Sequence, residues 1–186
     1  MRLDHRICLL RGVNVGGVTV PTAELKAIAS EAGFGNPHTL LASGNLVIES
    51  DAAPTEVGRR LEAGIEAHFD RRIEVIVRTS DQWTALMAAN PFLAEAASDG
   101  GGSRLLVMVM KAGIGPGAVE VLRGFASGGE RVEAVSVAGG EALYMWHPDG
   151  MGRSRMAEKA VPRLIGVGTG RNWNTVRKLA DMLEVW

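Results

Sequence analysis

The sequence is poor in cysteine, in aromatic side chains, in long apolar runs and in charge of one sign. Its one cysteine, Cys8, excludes an internal disulfide and fits a reducing compartment, so the cytoplasm is the expected location. Cys8 lies inside an apolar run and reads as a small core residue. Four phenylalanines, four tryptophans and one tyrosine leave little material for stacking nucleobases on a sheet. No apolar stretch approaches the ~18 residues of a membrane span, and the polar start, Met1 to Arg6, is unlike a secretory signal. Lysine and arginine number 20 against 21 acidic residues, which excludes an overall pull toward nucleic acid or anionic lipid.

What remains is an ordinary globular composition with one excess. The 186 residues are 46% hydrophobic and 22% charged, enough to bury a substantial core. Glycine, at 24 residues, is close to double the usual share of roughly 7%. Most glycines punctuate turns, so many short elements are expected.

The order of those elements repeats. His5 to Arg11 reads as a buried strand, followed by the loop Gly12-Val13-Asn14-Val15-Gly16-Gly17. Pro21 opens a helix with Leu25, Ile28, Ala29 and Ala32 at helical spacing, stopped by Gly33 and Gly35. Strands are expected at His38 to Leu41 and Leu46 to Glu49, joined through Ser43-Gly44-Asn45. A helix from Pro54, with Val57, Leu61, Ile65 and Phe69, and a strand over Ile73 to Arg78 complete a β-α-β-β-α-β unit. A connecting helix capped by Ser80 ends at Asn90-Pro91. The second half is expected to repeat this order: strand Arg104 to Met110, helix Pro116 to Phe125, and strands Arg131 to Val137 and Ala142 to Trp146. Helices follow over Gly152 to Val161, ended or kinked by Pro162, and over Asn172 to Leu183. A short strand near Ile165 to Thr169 is left open.

The expected fold class is therefore α+β: two ferredoxin-like β-α-β-β-α-β subdomains in one compact unit. Residues 1–94 would hold the first with the connecting helix, 95–103 a glycine- and serine-rich linker, and 104–186 the second.

In such a unit the loop leaving strand one lies at the same end as the hairpin between strands two and three. Arg11, Asn14, Gly16 and Gly17 would then meet Ser43, Gly44 and Asn45. A glycine loop feeding a helix offers N–H groups to an anion, and Arg11 would add a forked donor. The same residues also serve as plain turn formers. By the same geometry Arg171, Asn172, Asn174 and Thr175 gather at a helix start, where an asparagine could simply be the cap.

Three motifs, Leu9-Leu10-Arg11-Gly12-Val13-Asn14-Val15-Gly16-Gly17, Ser43-Gly44-Asn45 and Arg171-Asn172-Trp173-Asn174-Thr175-Val176, resemble in order and spacing an uncharacterised bacterial family, domain of unknown function 1697 (DUF1697). Asn90-Pro91-Phe92 is similar to a further piece of that pattern. The resemblance covers essentially the whole chain and implies two ferredoxin-like subdomains, with no assigned activity. The chain departs from the pattern at Gly166 to Gly170, where more threonine is expected.

Other chemistries find little. The runs Gly113-Ile114-Gly115-Pro116-Gly117 and Gly166 to Gly170 do not match G-x-G-x-x-G, and no Walker lysine is present. His5, His38, His68 and His147 have no metal spacing, and no motif asks for a cofactor. Ser43 lacks the setting of a nucleophile elbow. Residues 151–178 are locally basic, with seven basic residues against Glu158 alone, and Arg155, Lys159 and Arg163 would form one helical stripe if the helix continued past Pro162. Three functions stand: a small-anion (phosphate or carboxylate) binding protein with an enzymatic step left open, a nucleic-acid binder through 151–178, and an architectural role for the motifs with a protein-interaction surface elsewhere.

Overall fold

The computed structural model describes residues 4–13, 18–42 and 44–184. Its architecture is α+β, with two four-stranded antiparallel sheets and, among the described residues, nine α-helices. The chain divides into a first unit, residues 1–83 with 179–186, and a second unit, residues 84–178. The boundaries fall inside two helices, unlike the expected boundary at 95–103.

In the first unit β1 (Asp4–Leu10), β2 (Gly35–Thr39), β3 (Asn45–Ser50) and β4 (Val75–Thr79) form a sheet of order β2-β3-β1-β4. Helices α1 (Thr22–Glu31) and α2 (Pro54–Phe69) lie on one face. Period-two alternation puts Cys8, Leu10, Leu46, Ile48, Val75 and Val77 on that face, against Leu25, Ile28, Val57, Leu61 and Ile65. Each helix begins on a proline-defined start, Pro21 before α1 and Pro54 at the head of α2. Cys8 is fully buried, and burial pushes its thiol far above the ordinary range. β2 starts three residues earlier than expected. Asn36 takes φ 45° at an irregularity between Gly35 and His38, while Leu41 is exposed in the turn.

Helix α3 (Ser80–Ala88) starts one residue earlier than a Ser80 cap implies. Thr79 is the cap: its Oγ1 accepts the Gln82 N–H at 3.1 Å, and Gln82 Oε1 accepts the Thr79 N–H at 3.0 Å, a reciprocal box. The segment expected as a linker holds α4 (Leu93–Ala97) and α5 (Gly101–Arg104), with Gly101 and Gly102 buried. A Cβ at Gly102 would overlap Asn174 Oδ1, so this glycine is required by packing. Asn90 Oδ1 accepts the Phe92 N–H at 2.8 Å, fixing the turn between α3 and α4.

The second unit repeats the first with β5 (Leu105–Met110), α6 (Ala118–Phe125), β6 (Arg131–Val137), β7 (Gly140–Trp146), α7 (Arg155–Lys159), α8 (Pro162–Ile165) and β8 (Gly168–Asn172), and α9 (Trp173–Glu184) follows, its residues from Leu179 onward counted with the first unit. The second unit's sheet order is β6-β7-β5-β8. Pro162 ends the expected helix: α7 stops at Lys159, Val161 is extended at φ −97°, ψ 153°, and α8 begins afresh. The short strand left open near Ile165 to Thr169 exists as β8, shifted to Gly168–Asn172. A Cβ at Gly168 would come within 2.7 Å of Met110 Sδ, and one at Gly170 within 2.9 Å of Met108 Sδ. The glycines thus admit large β5 side chains over the edge strand. No helix among the described residues is long and apolar enough to cross a membrane.

Candidate functional site

β1 ends at a junction of two turns. The Leu10 N–H bonds Gly44 O at 2.8 Å, and the Arg11 N–H bonds Glu74 O at 2.9 Å, so the loop after β1 meets the β2–β3 hairpin as expected. Gly44 has φ 71°, and a Cβ there would overlap Val13 Cγ2 and stand 2.8 Å from Leu10 Cβ. Val13 is therefore folded over the hairpin. Arg11 is half-buried, and among the described residues its guanidinium has no hydrogen-bond or ion-pair partner. Asn45 is fully buried, and its Nδ2 donates to Leu40 O at 2.9 Å, closing the hairpin from inside. Asn14, Gly16, Gly17 and Ser43 lie outside the described residues.

The second group of expected site residues belongs to the second unit. Arg171 is 9% exposed; its Nη1 donates to Thr169 Oγ1 and to Gly170 O, both at 2.8 Å. Burial pushes its pKa down to about 10. Asn172 caps α9: its Oδ1 accepts the Thr175 N–H at 2.9 Å and the Thr175 hydroxyl at 3.0 Å. Asn174 is exposed, with its amide laid against Gly102. Of this group, Arg171, Asn172 and Thr175 are turned into the fold.

The basic stripe is divided. Arg155 and Lys159 both lie over the Phe125 ring, 5.4 and 5.3 Å from its centroid, while Arg163 belongs to α8 beyond the break at Val161.

Sequence reasoning missed three arrangements, two of them built by strand pairing. First, His147 is fully buried with Nδ1 2.9 Å from Glu130 Oε1, and among the described residues its Nε2 is buried without a hydrogen-bond partner. Burial works against the Glu130 charge, but hydrogen bonds from the Ser154 hydroxyl, His147 and the Ser127 N–H hold its carboxyl below the usual range. Glu130 and Ser154 also line a cavity of about 490 Å³ with Ser127, Gly128, Asp149 and Arg153. The serine sits on the carboxylate rather than on the imidazole, so this is no nucleophile triad. Second, His5 and Glu49 face each other across β1 and β3 at 3.9 Å, with Asn36 and His38 continuing the polar row. Third, Arg78 is buried, and its Nη1 donates to Val77 O at 2.9 Å. Burial pushes its pKa down. No spacing signal in the sequence joins the residues of the first two; only the strand register does. Among the described residues no three ligating side chains gather where a metal could bind.

The family model described as protein of unknown function (DUF1697) matches residues 3–142. The chain belongs to the DUF1697 family. In this DUF1697 protein Arg11, Gly44 and Asn45 fall inside the matched residues, whereas Arg171 to Thr175 follow them. Among solved structures, the chain is similar to one described as the structure of conserved bacterial protein SP0830 from Streptococcus pneumoniae, at 19% identity and a TM-score of 0.74. That alignment covers 97% of this chain and 99% of the other and shows a shared fold. No curated protein matches the chain.

Proposed function

We propose that this DUF1697 protein binds a small anion, a phosphate or carboxylate, at the Arg11 end of its first unit. Each unit is read as ferredoxin-like, which puts the glycine loop and the hairpin at one end of the sheet. The observation that carries the proposal is Arg11 itself: a half-buried guanidinium at the junction of two turns, without a partner among the described residues. A cation so placed is a ready donor pair for a planar or tetrahedral anion. Asn14, Gly16, Gly17 and Ser43 complete the candidate set by sequence, and a chemical step is not part of the proposal. The cytoplasm, where small phosphates and carboxylates abound, is the proposed location.

A second reading applies to Asn45, Arg171, Asn172 and Thr175. Their side chains bond the backbone or one another inside the fold, which supports an architectural role. Nucleic-acid binding through 151–178 has less support, because α7 and α8 divide its basic residues between two short helices.

A thermal-shift screen against phosphorylated metabolites, carboxylates and short nucleic acids tests these readings. A ligand at ~100 times its Kd adds about 2.7 kcal/mol, or roughly 5 to 10 °C in Tm. The expected result is a shift with one class of small anion that Arg11→Ala abolishes while its own Tm stays near wild type. A shift that survives Arg11→Ala, or one seen with nucleic acid alone, overturns the proposal.

A further inference from the structure

The two units share one register. Arg11 donates its N–H to Glu74 O at 2.9 Å, and Lys111 donates its own to Val167 O at 2.8 Å. Leu10 pairs with Val75 as Met110 pairs with Gly168, and Leu9 faces Asn45 as Val109 faces Ala142. Lys111 therefore stands at the place of Arg11. Counting from these pairs, Glu141 stands at the place of Gly44, and Gly113 at the place of Val13.

Across that contact the units have exchanged bare and filled positions. In the first unit the hairpin residue is glycine and the loop residue, Val13, fills the space. In the second unit the loop residue is glycine, and a Cβ on Gly113 would lie 3.2 Å from Glu141 Oε2. The filler is apolar in one unit and a carboxylate in the other. Glu141 Oε2 accepts the Ile114 N–H at 2.5 Å, and its Oε1 accepts the Ser136 hydroxyl at 3.3 Å.

We infer that Glu141 is the resident anion of the second unit's glycine loop: its carboxylate occupies the loop's N–H donor, so that this loop takes no external ligand while Glu141 is in place. The loop is thus a latent site for a small carboxylate, and Glu141 closes it. Its consequence for stoichiometry, one external ligand per chain, rests on the anion reading of the Arg11 end; the occupancy itself does not.

The test uses the full chain carrying Arg11→Ala, alone and combined with Glu141→Ala, so that binding at the first unit cannot contribute. Sodium formate and sodium acetate are compared with sodium chloride at equal ionic strength. Removing Glu141 is expected to lower Tm by about 5 °C, from one charge-assisted hydrogen bond. Formate is expected to recover at least half of that loss in the Glu141→Ala chain, to leave the Glu141-containing chain unmoved, and to return the Ile114 amide resonance toward its position there. No recovery by either carboxylate, or equal recovery by chloride, overturns the inference. Glu141→Gln, which keeps an acceptor for Ile114 without the charge, provides the same amide readout if the alanine variant fails to fold; its Ile114 amide is expected to be insensitive to formate, and a response equal to that of an emptied loop overturns the inference as well. Because the first unit is disabled throughout, this outcome is independent of whether Arg11 binds anything.

Discussion

Arg78 and Arg171 hold the same register position in their two units, and around them almost nothing else is chemically alike. Arg78 pairs with Ile7 of β1, as Arg171 pairs with Val107 of β5. Each donates Nη1 to the carbonyl of the residue before it, at 2.9 and 2.8 Å. The next residue in each case caps the following helix, Thr79 through its hydroxyl and Asn172 through its amide oxygen. Strand composition meanwhile differs freely: β4 reads VIVRT and β8 reads GTGRN. What the repeat keeps is the supply of donors and acceptors to backbone at a strand-to-helix junction. The apolar surroundings are free to vary because many shapes fill a core, while few side chains satisfy a given pair of backbone groups.

The largest test of that comparison is removal of the arginines. Arg171→Ala strips donors from Thr169 and Gly170 and is expected to cost about 3 kcal/mol in urea unfolding, with Arg78→Ala within about 1 kcal/mol of it. A large loss in one and none in the other would break the equivalence. The glycine exchange offers a smaller contrast. Gly44→Ala forces a Cβ into Val13 at φ 71° and is expected to cost about 2 kcal/mol, whereas Gly113→Ala meets only the end of the flexible Glu141 side chain and should cost about 1 kcal/mol or less. The reverse order would mean that the Val13 and Glu141 contacts are not counterparts. Smallest are the caps: Asn172→Ala and Thr79→Ala should each cost about 1 kcal/mol, read as lost amide protection in the first turns of α9 and α3.

The fold was legible where its signals are local. The run HRICLLR, the four-residue steps of Val57, Leu61 and Ile65, and the break at Pro162 each act within a few residues of themselves. β8 was not, because Gly166 to Gly170 carries every mark of a turn, and its strand character comes from Met108 and Met110 sixty residues away. The family resemblance was legible from motifs spread along the chain. At the candidate site the sequence identified the polar residues of the turns but not their direction. Asn45 and Arg171 have the chemistry of ligand donors, yet both spend it on backbone carbonyls, and a side chain facing inward has the same letter as one facing out. The His147–Glu130 pair was invisible for a related reason: its partners are neighbours only because β6 and β7 are.

Cys8 gives the molecule a practical property. Its thiol is sealed within the first core and kept protonated by burial, so thiol-directed reagents find no accessible thiolate to attack. A cysteine placed at an exposed position such as Leu41 in the first unit or Val121 in the second would be the sole reactive thiol on the natural background. A fluorophore or spin label could therefore be attached to either unit in one step, with the native residue left in place as a built-in reporter: its first reaction with a thiol reagent would time the opening of the core.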